Sequence, residues 1–99
     1  MRIAFQCAGL GTVLVKRIVA YFGDTVQIKD GVLFVNRTRS SIYGQDAVFE
    51  DAGITEEEIV LEEGKYFVIG DNVTMSKDSR YEEVGVVKEK DIIGKVIIP

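Results

Sequence analysis

Apolar positions in the 99 residues fall in short runs, many of them alternating with polar positions, and glycines separate one run from the next. Runs rich in β-branched and aromatic residues at 2–5, 12–22, 25–29, 32–36, 58–62, 65–70 and 94–99 predict strands. Asp30-Gly31, at the centre of "KDGV" (29–32), fits a tight hairpin turn, and "EEGK" (62–65) predicts a second one with Gly64 at positive φ. These signals predict a mostly antiparallel β structure. The stretch 36–53, "NRTRSSIYGQDAVFEDAG", is polar and without sustained periodicity, and it is expected to be a long excursion between strands. Thr55 followed by Glu58 fits a helix capping box, and "KEKD" (88–91) allows one helical turn. No helical repeat follows either, so acidic surface residues ahead of a strand explain the first equally well.

The run "TVLVKRIVAYF" (12–22) carries two cations at its centre. Strand alternation places Lys16 on one face with Leu14, Ile18 and Ala20, and Arg17 on the other with Val13, Val15 and Val19. One explanation is an edge strand whose long cationic side chains reach water and discourage edge pairing. The other is a functional lysine held among apolar side chains. The segment "GDNVTMSKDSR" (70–80) is unusually dense in hydrogen-bonding groups. Such residues are common in ordinary turns, where they bond nearby backbone groups. They also form a partner set for the cations: Asp71 and Asp78 for Arg17 or Arg80, and Ser76 or Ser79 for Lys16. A buried guanidinium needs such a carboxylate, because leaving it unpaired costs several kcal/mol.

Length and composition narrow the function. Residues 1–99 are one domain's worth of chain, and 46% hydrophobic with 28% charged residues is the balance of an ordinary globular protein. A net charge of −4 without a Lys/Arg cluster argues against nucleic acid as a partner. No run approaches the roughly 18 apolar residues of a membrane span, and the first residues lack signal-peptide features, so the chain by itself is expected to be soluble. Cys7 is the single cysteine and there is no histidine, which excludes an internal disulfide, the usual zinc sites and Ser-His or Cys-His nucleophile pairs. Neither a metal nor a cofactor is expected, and a hydrolase on this chain needs a base other than imidazole. An amine that accepts a proton near neutrality needs its pKa lowered by about 3 units from roughly 10.4, about 4 kcal/mol. Burial away from carboxylates does this, and Arg17, on the opposite face, is placed to occupy the acids. The doublet therefore suits a Ser–Lys hydrolase.

The pieces "VKRIVAYFGDTVQIKDGVLFVN", "EGKYFVIGDN", "SKDSR" and "IIGKV", in this order, resemble bacterial type I signal peptidase, the membrane-bound Ser–Lys protease that removes signal peptides from exported proteins. The similarity covers most of the chain and is weakest over 37–57. It implies an antiparallel β-sheet or partial barrel with a long inserted loop. It also implies that Lys16 is the general base with Arg17 beside it, and that Gly70 is the glycine leaving room next to the lysine, with Asp71 and Asn72 completing its segment. Ser76 then matches the serine that orients the amine, and Asp78 and Arg80 match the pair bracing the site. The implied partners are signal peptides of exported preproteins, and the implied location is the extracytoplasmic face of the bacterial membrane, through an N-terminal anchor.

There are departures. The family's nucleophile lies in a Ser-Met-x-Pro motif upstream of the lysine strand, whereas residues 1–15 contain no serine. Ser40, Ser41, Ser76 and Ser79 all lie downstream, and none is followed by Met-x-Pro. Phe22 stands where the family commonly has proline, and Val73 where it commonly has arginine. The chain is therefore expected to be a catalytic-core portion, inactive alone for want of a nucleophile, with exposed edges that favour self-association. A non-catalytic, signal-peptidase-like peptide-binding or assembly factor is the alternative. A phage-repressor-type autoprotease fits less well, since Gly-Asp-Asn followed by Ser-x-Asp-Ser-Arg argues against it and there is no helix-turn-helix pattern.

Overall fold

The structure, a computed structural model, describes residues 1–44, 47–74 and 76–97. The runs of alternating and β-branched residues become strands: β1 (Arg2–Cys7), β2 (Thr12–Ala20), β3 (Thr25–Lys29), β4 (Val32–Val35), β5 (Thr38–Arg39), β6 (Ile59–Val60), β7 (Lys65–Ile69), β8 (Val87–Lys88) and β9 (Ile92–Val96). They form two antiparallel sheets, ordered β8-β7-β2-β1-β9 and β5-β4-β3-β6. Among the described residues neither sheet closes into a barrel.

Strand β2 lies in the middle of the five-stranded sheet. It pairs with β1 from Arg2↔Arg17 to Cys7↔Thr12, and with β7 through Arg17↔Ile69 and Ile18↔Val68. An edge strand is therefore not the explanation of Lys16 and Arg17. The two faces of the sheet belong to two cores. Leu14 and Ile18, on the Lys16 face, pack against Ile3, Phe5, Cys7, Val68 and Val87. Val19 joins Phe67 and Ile69 in the other core, with Val26, Ile28, Leu33, Phe49 and Leu61, and a register shift between Ile18 and Ala20 takes Ala20 off the Lys16 face expected from alternation and into this core as well.

The corner that sends the chain from β2 into the second sheet is built by Gly23 and Asp24. Gly23 adopts φ +88°, a conformation open to glycine at no steric cost. The Asp24 carboxylate accepts from Tyr21 N at 3.0 Å and from Asn36 Nδ2 at 2.9 Å, tying the corner to the end of β4.

Several local details differ from the sequence expectation. The Asp30-Gly31 hairpin forms, with Lys29 paired to Val32 and both turn residues at positive φ. The Glu62–Lys65 turn also forms, with Gly64 at φ +74° and Lys65 N donating to Glu62 O at 3.1 Å. It does not make a hairpin, however: β6 pairs with β3 and β7 with β2, so the turn carries the chain between sheets. Thr55 starts no helix; its hydroxyl donates back to Ala52 O at 2.6 Å within a 3₁₀ turn, and Glu58 pairs with Arg37. A second 3₁₀ turn covers Glu89–Asp91, and β9 begins at Ile92, two residues ahead of the expected run, whose last two residues lie outside the described ones.

Candidate active site

The register of β2 against β7 brings Lys16 beside Gly70, the residue after the last one of β7. Gly70 leaves a gap in the wall there. A Cβ on Gly70 would overlap the Ser76 hydroxyl and lie 3.4 Å from Lys16 Nζ. Through this gap Lys16 Nζ donates to Ser76 Oγ at 3.0 Å. Ser76 is buried and Lys16 half-buried, so the contact is largely shielded from solvent. Ser76 is held by its own amide, which donates to Asn72 O at 3.0 Å. The Asn72 side chain accepts from Thr74 N and Oγ1 at 3.3 and 2.9 Å and so folds the loop locally; no hydrogen bond joins it to Lys16.

Among the described residues no carboxylate lies within ion-pair distance of Lys16, because the neighbouring acids are engaged elsewhere. Asp71 is gripped by two arginines on the opposite face of the sheet: Arg2 Nη2 at 2.8 Å and Arg17 Nε at 3.1 Å. The hydrogen bond from Arg2, reinforced by Arg17, holds the Asp71 carboxyl below the usual carboxylate range. Asp78 and Arg80 form a buried bidentate pair, Nε to Oδ1 at 2.8 Å and Nη2 to Oδ2 at 2.9 Å, with 1% of the Arg80 side chain and none of Asp78 exposed.

That pair ties the 70–80 loop to its surroundings. Asp78 Oδ2 accepts from Gly70 N at 3.2 Å, Arg80 Nη2 donates to Val73 O at 2.9 Å, and the guanidinium lies 5.4 Å from the Phe49 ring. Ser79, the alternative partner for Lys16, instead closes the end of β7, accepting from Val68 N at 2.9 Å. Sequence reasoning singled out neither Arg2 nor Tyr43. The Tyr43 hydroxyl donates to Ile69 O at 3.3 Å and Gly70 O at 3.2 Å. An aromatic residue inside an otherwise polar excursion was the available signal for it.

The arrangement is a half-buried amine hydrogen-bonded to a hydroxyl and kept away from acids, in a gap made by a glycine and framed by buried ion pairing. The family model for signal peptidase, peptidase S26, matches residues 3–99. The chain belongs to this family. It is 31% identical over 99 residues to signal peptidase I V of Bacillus subtilis, covering 85% of this chain and 55% of that protein. It is 39% identical over 93 residues to a probable thylakoidal processing peptidase of Arabidopsis thaliana, covering 94% of this chain and 23% of that one. The chain thus spans about half or less of these curated relatives. A crystal structure of a signal peptidase I from Enterococcus faecalis superposes with a TM-score of 0.74 at 29% identity, covering 97% of this chain and 92% of that one. The fold is accordingly that of signal peptidase I. Within it, Lys16, Gly70 and Ser76 meet where the 70–80 loop leaves β7 beside β2.

Proposed function

We propose that these residues form one catalytic-core domain of a serine endopeptidase that removes signal peptides from exported preproteins, and that they supply the base side of its Ser–Lys dyad. Lys16 is the general base and Ser76 orients its amine. Gly70 opens the space, while Arg17–Asp71 and Asp78–Arg80 hold the frame and Asn72 shapes the loop. The observation that carries the reading is the 3.0 Å Lys16–Ser76 contact in the Gly70 gap, with the neighbouring acids already engaged.

In the working enzyme the Lys16 amine takes the proton of a nucleophilic serine, and the alkoxide attacks the carbonyl at the cleavage site. The amine then returns the proton to the leaving group, and water hydrolyses the acyl-enzyme. On this reading the nucleophile and a membrane anchor belong to sequence outside the 99 residues, the enzyme works at the extracytoplasmic face of the membrane, and the chain alone is inactive. Val13 and Val15, each 47% exposed on the face that carries Arg17, are surface that further sequence or a second copy would cover; size-exclusion chromatography reports whether the chain self-associates.

The test is cleavage of a preprotein by the product of the full reading frame. Losing a positioned general base costs about 10²–10⁴ in rate, so Lys16→Ala is expected to abolish measurable cleavage. Cleavage that survives Lys16→Ala overturns the mechanism. A full-length product that binds signal peptides without cleaving them supports the non-catalytic alternative.

A further inference from the structure

The Gly70 peptide is the hinge on which the Lys16–Ser76 contact depends. Its N–H is fixed by Asp78 Oδ2, and among the described residues its carbonyl accepts from the Tyr43 hydroxyl. Tyr43 reaches it from the excursion between β5 and the Gly53–Thr55 turn, far in sequence from both partners of the contact. Its ring is itself anchored, standing edge-on to Phe49 at 5.5 Å and 88°, and Phe49 is buried in the larger core beneath the Arg80 guanidinium. A rigid aromatic lever therefore delivers one O–H to the last two carbonyls of the β7 segment.

We propose that Tyr43 is a positioning residue whose hydroxyl, through the Ile69 and Gly70 carbonyls, holds open the backbone gap in which Lys16 and Ser76 meet. The proposal rests on the Ser–Lys reading above. The surroundings suit the role. Tyr43 is half-buried, and the charged groups facing it are Asp71, Arg17, Asp78 and Arg80. Burial, with Asp71 next in weight, pushes its hydroxyl well above the ordinary tyrosine range. It therefore remains a donor even at about pH 10, where an exposed tyrosine is half ionised.

Tyr43→Phe removes the hydroxyl and keeps the ring on Phe49. The measurement is the nuclear Overhauser effect between the Lys16 Hε and Ser76 Hβ protons, alongside amide exchange, in the full chain. The wild type is expected to show the effect, and Tyr43→Phe to weaken it at least three-fold. In the same variant, Gly70 and Ser76 amides are expected to exchange about ten-fold faster, with Val26 and Ile28 unchanged. An effect present in the wild type and undiminished in Tyr43→Phe overturns the inference alone. Uniformly faster exchange across both sheets also overturns it, because the hydroxyl would then serve general stability. An effect absent from the wild type removes the Lys16–Ser76 pairing itself, and with it the reading on which the inference rests.

Discussion

Replacing Asp78 by asparagine changes one buried charge while preserving shape, and it tests whether the frame around Lys16 depends on ion pairing. Asp78 is fully buried and accepts both arms of the Arg80 guanidinium, which is 1% exposed. Removing one partner of such a pair leaves the other charge buried and uncompensated, at a cost of about 3–5 kcal/mol. The remaining contacts of Arg80, with Val73 O, Asp51 O and the faces of Phe49 and Tyr81, offset part of this, so the lower end of the range is expected. A domain of this length has roughly 5–15 kcal/mol of stability in all, and each kcal/mol moves the melting midpoint by about 4–8 °C. Asp78→Asn should therefore lower the midpoint by about 12–25 °C in a circular-dichroism melt at pH 7. Because the pair is shielded, the difference should persist in 0.5 M salt, unlike that of a surface pair, whose interaction is screened within about 3–10 Å at such ionic strengths. The double variant Asp78→Asn with Arg80→Met removes the orphaned charge and should recover more than half of the loss. A single variant melting within about 3 °C of the wild type would refute the reasoning, since no buried charge would then have been left unpaired.

Two further substitutions test the geometry of the site. Gly70→Ala places a methyl where Ser76 Oγ stands, so it should cost about 1–3 kcal/mol of overpacking and separate Ser76 from Lys16; Gly44→Ala, which meets nothing within 4 Å, is the control and should melt like the wild type. Arg2→Ala should cost a few tenths to about 1 kcal/mol at pH 7, as expected of an ion pair whose side chains are 30% and 53% exposed. The sign with pH follows from Asp71: its folded pKa lies below the unfolded value of about 3.9, so the stabilisation is present above that pH and is lost as pH falls through the folded value. The gap between Arg2→Ala and wild type in urea titrations should thus hold steady above about pH 5 and close in stronger acid, and a gap that widens there would contradict the assignment.

The strands were legible where local pattern decides them. β2, β3, β4 and β7 follow from alternation or β-branched runs, and the Asp30-Gly31 hairpin from the one residue pair suited to its backbone. The two-residue strands β5 and β8 were not, because Thr38–Arg39 and Val87–Lys88 are strands only by virtue of the neighbours they meet in β4 and β7. The Gly64 turn shows the same limit. Its residues dictate a reversal, but which sheet each flanking strand joins depends on partners up to 52 residues away. At the site, alternation alone put Lys16 and Arg17 on opposite faces. The pairing of Lys16 with Ser76 and not Ser79, 60 positions along, required the fold. Arg2 and Tyr43 escaped notice for that reason: nothing local to either residue marks it as a neighbour of Gly70 and Asp71.

On the proposed Ser–Lys reading, the Lys-Arg doublet meets two opposed electrostatic demands with a period of two. An amine base needs apolar surroundings free of carboxylates, yet a loop dense in hydrogen-bonding groups needs acids to fix it beside that amine. With the cations adjacent on a central strand, Arg17 reaches Asp71 on one face of the sheet while Lys16 reaches Ser76 past Gly70 on the other. The second acid, Asp78, is held by Arg80 from within the loop itself, so neither carboxylate is left to pair with the amine. Swapping the two cations, or shifting the doublet by one position, would exchange their faces, set the lysine beside Asp71 and turn the arginine toward the Gly70 gap. The spacing of the doublet is thus fixed by what each face must exclude as much as by what it must bind.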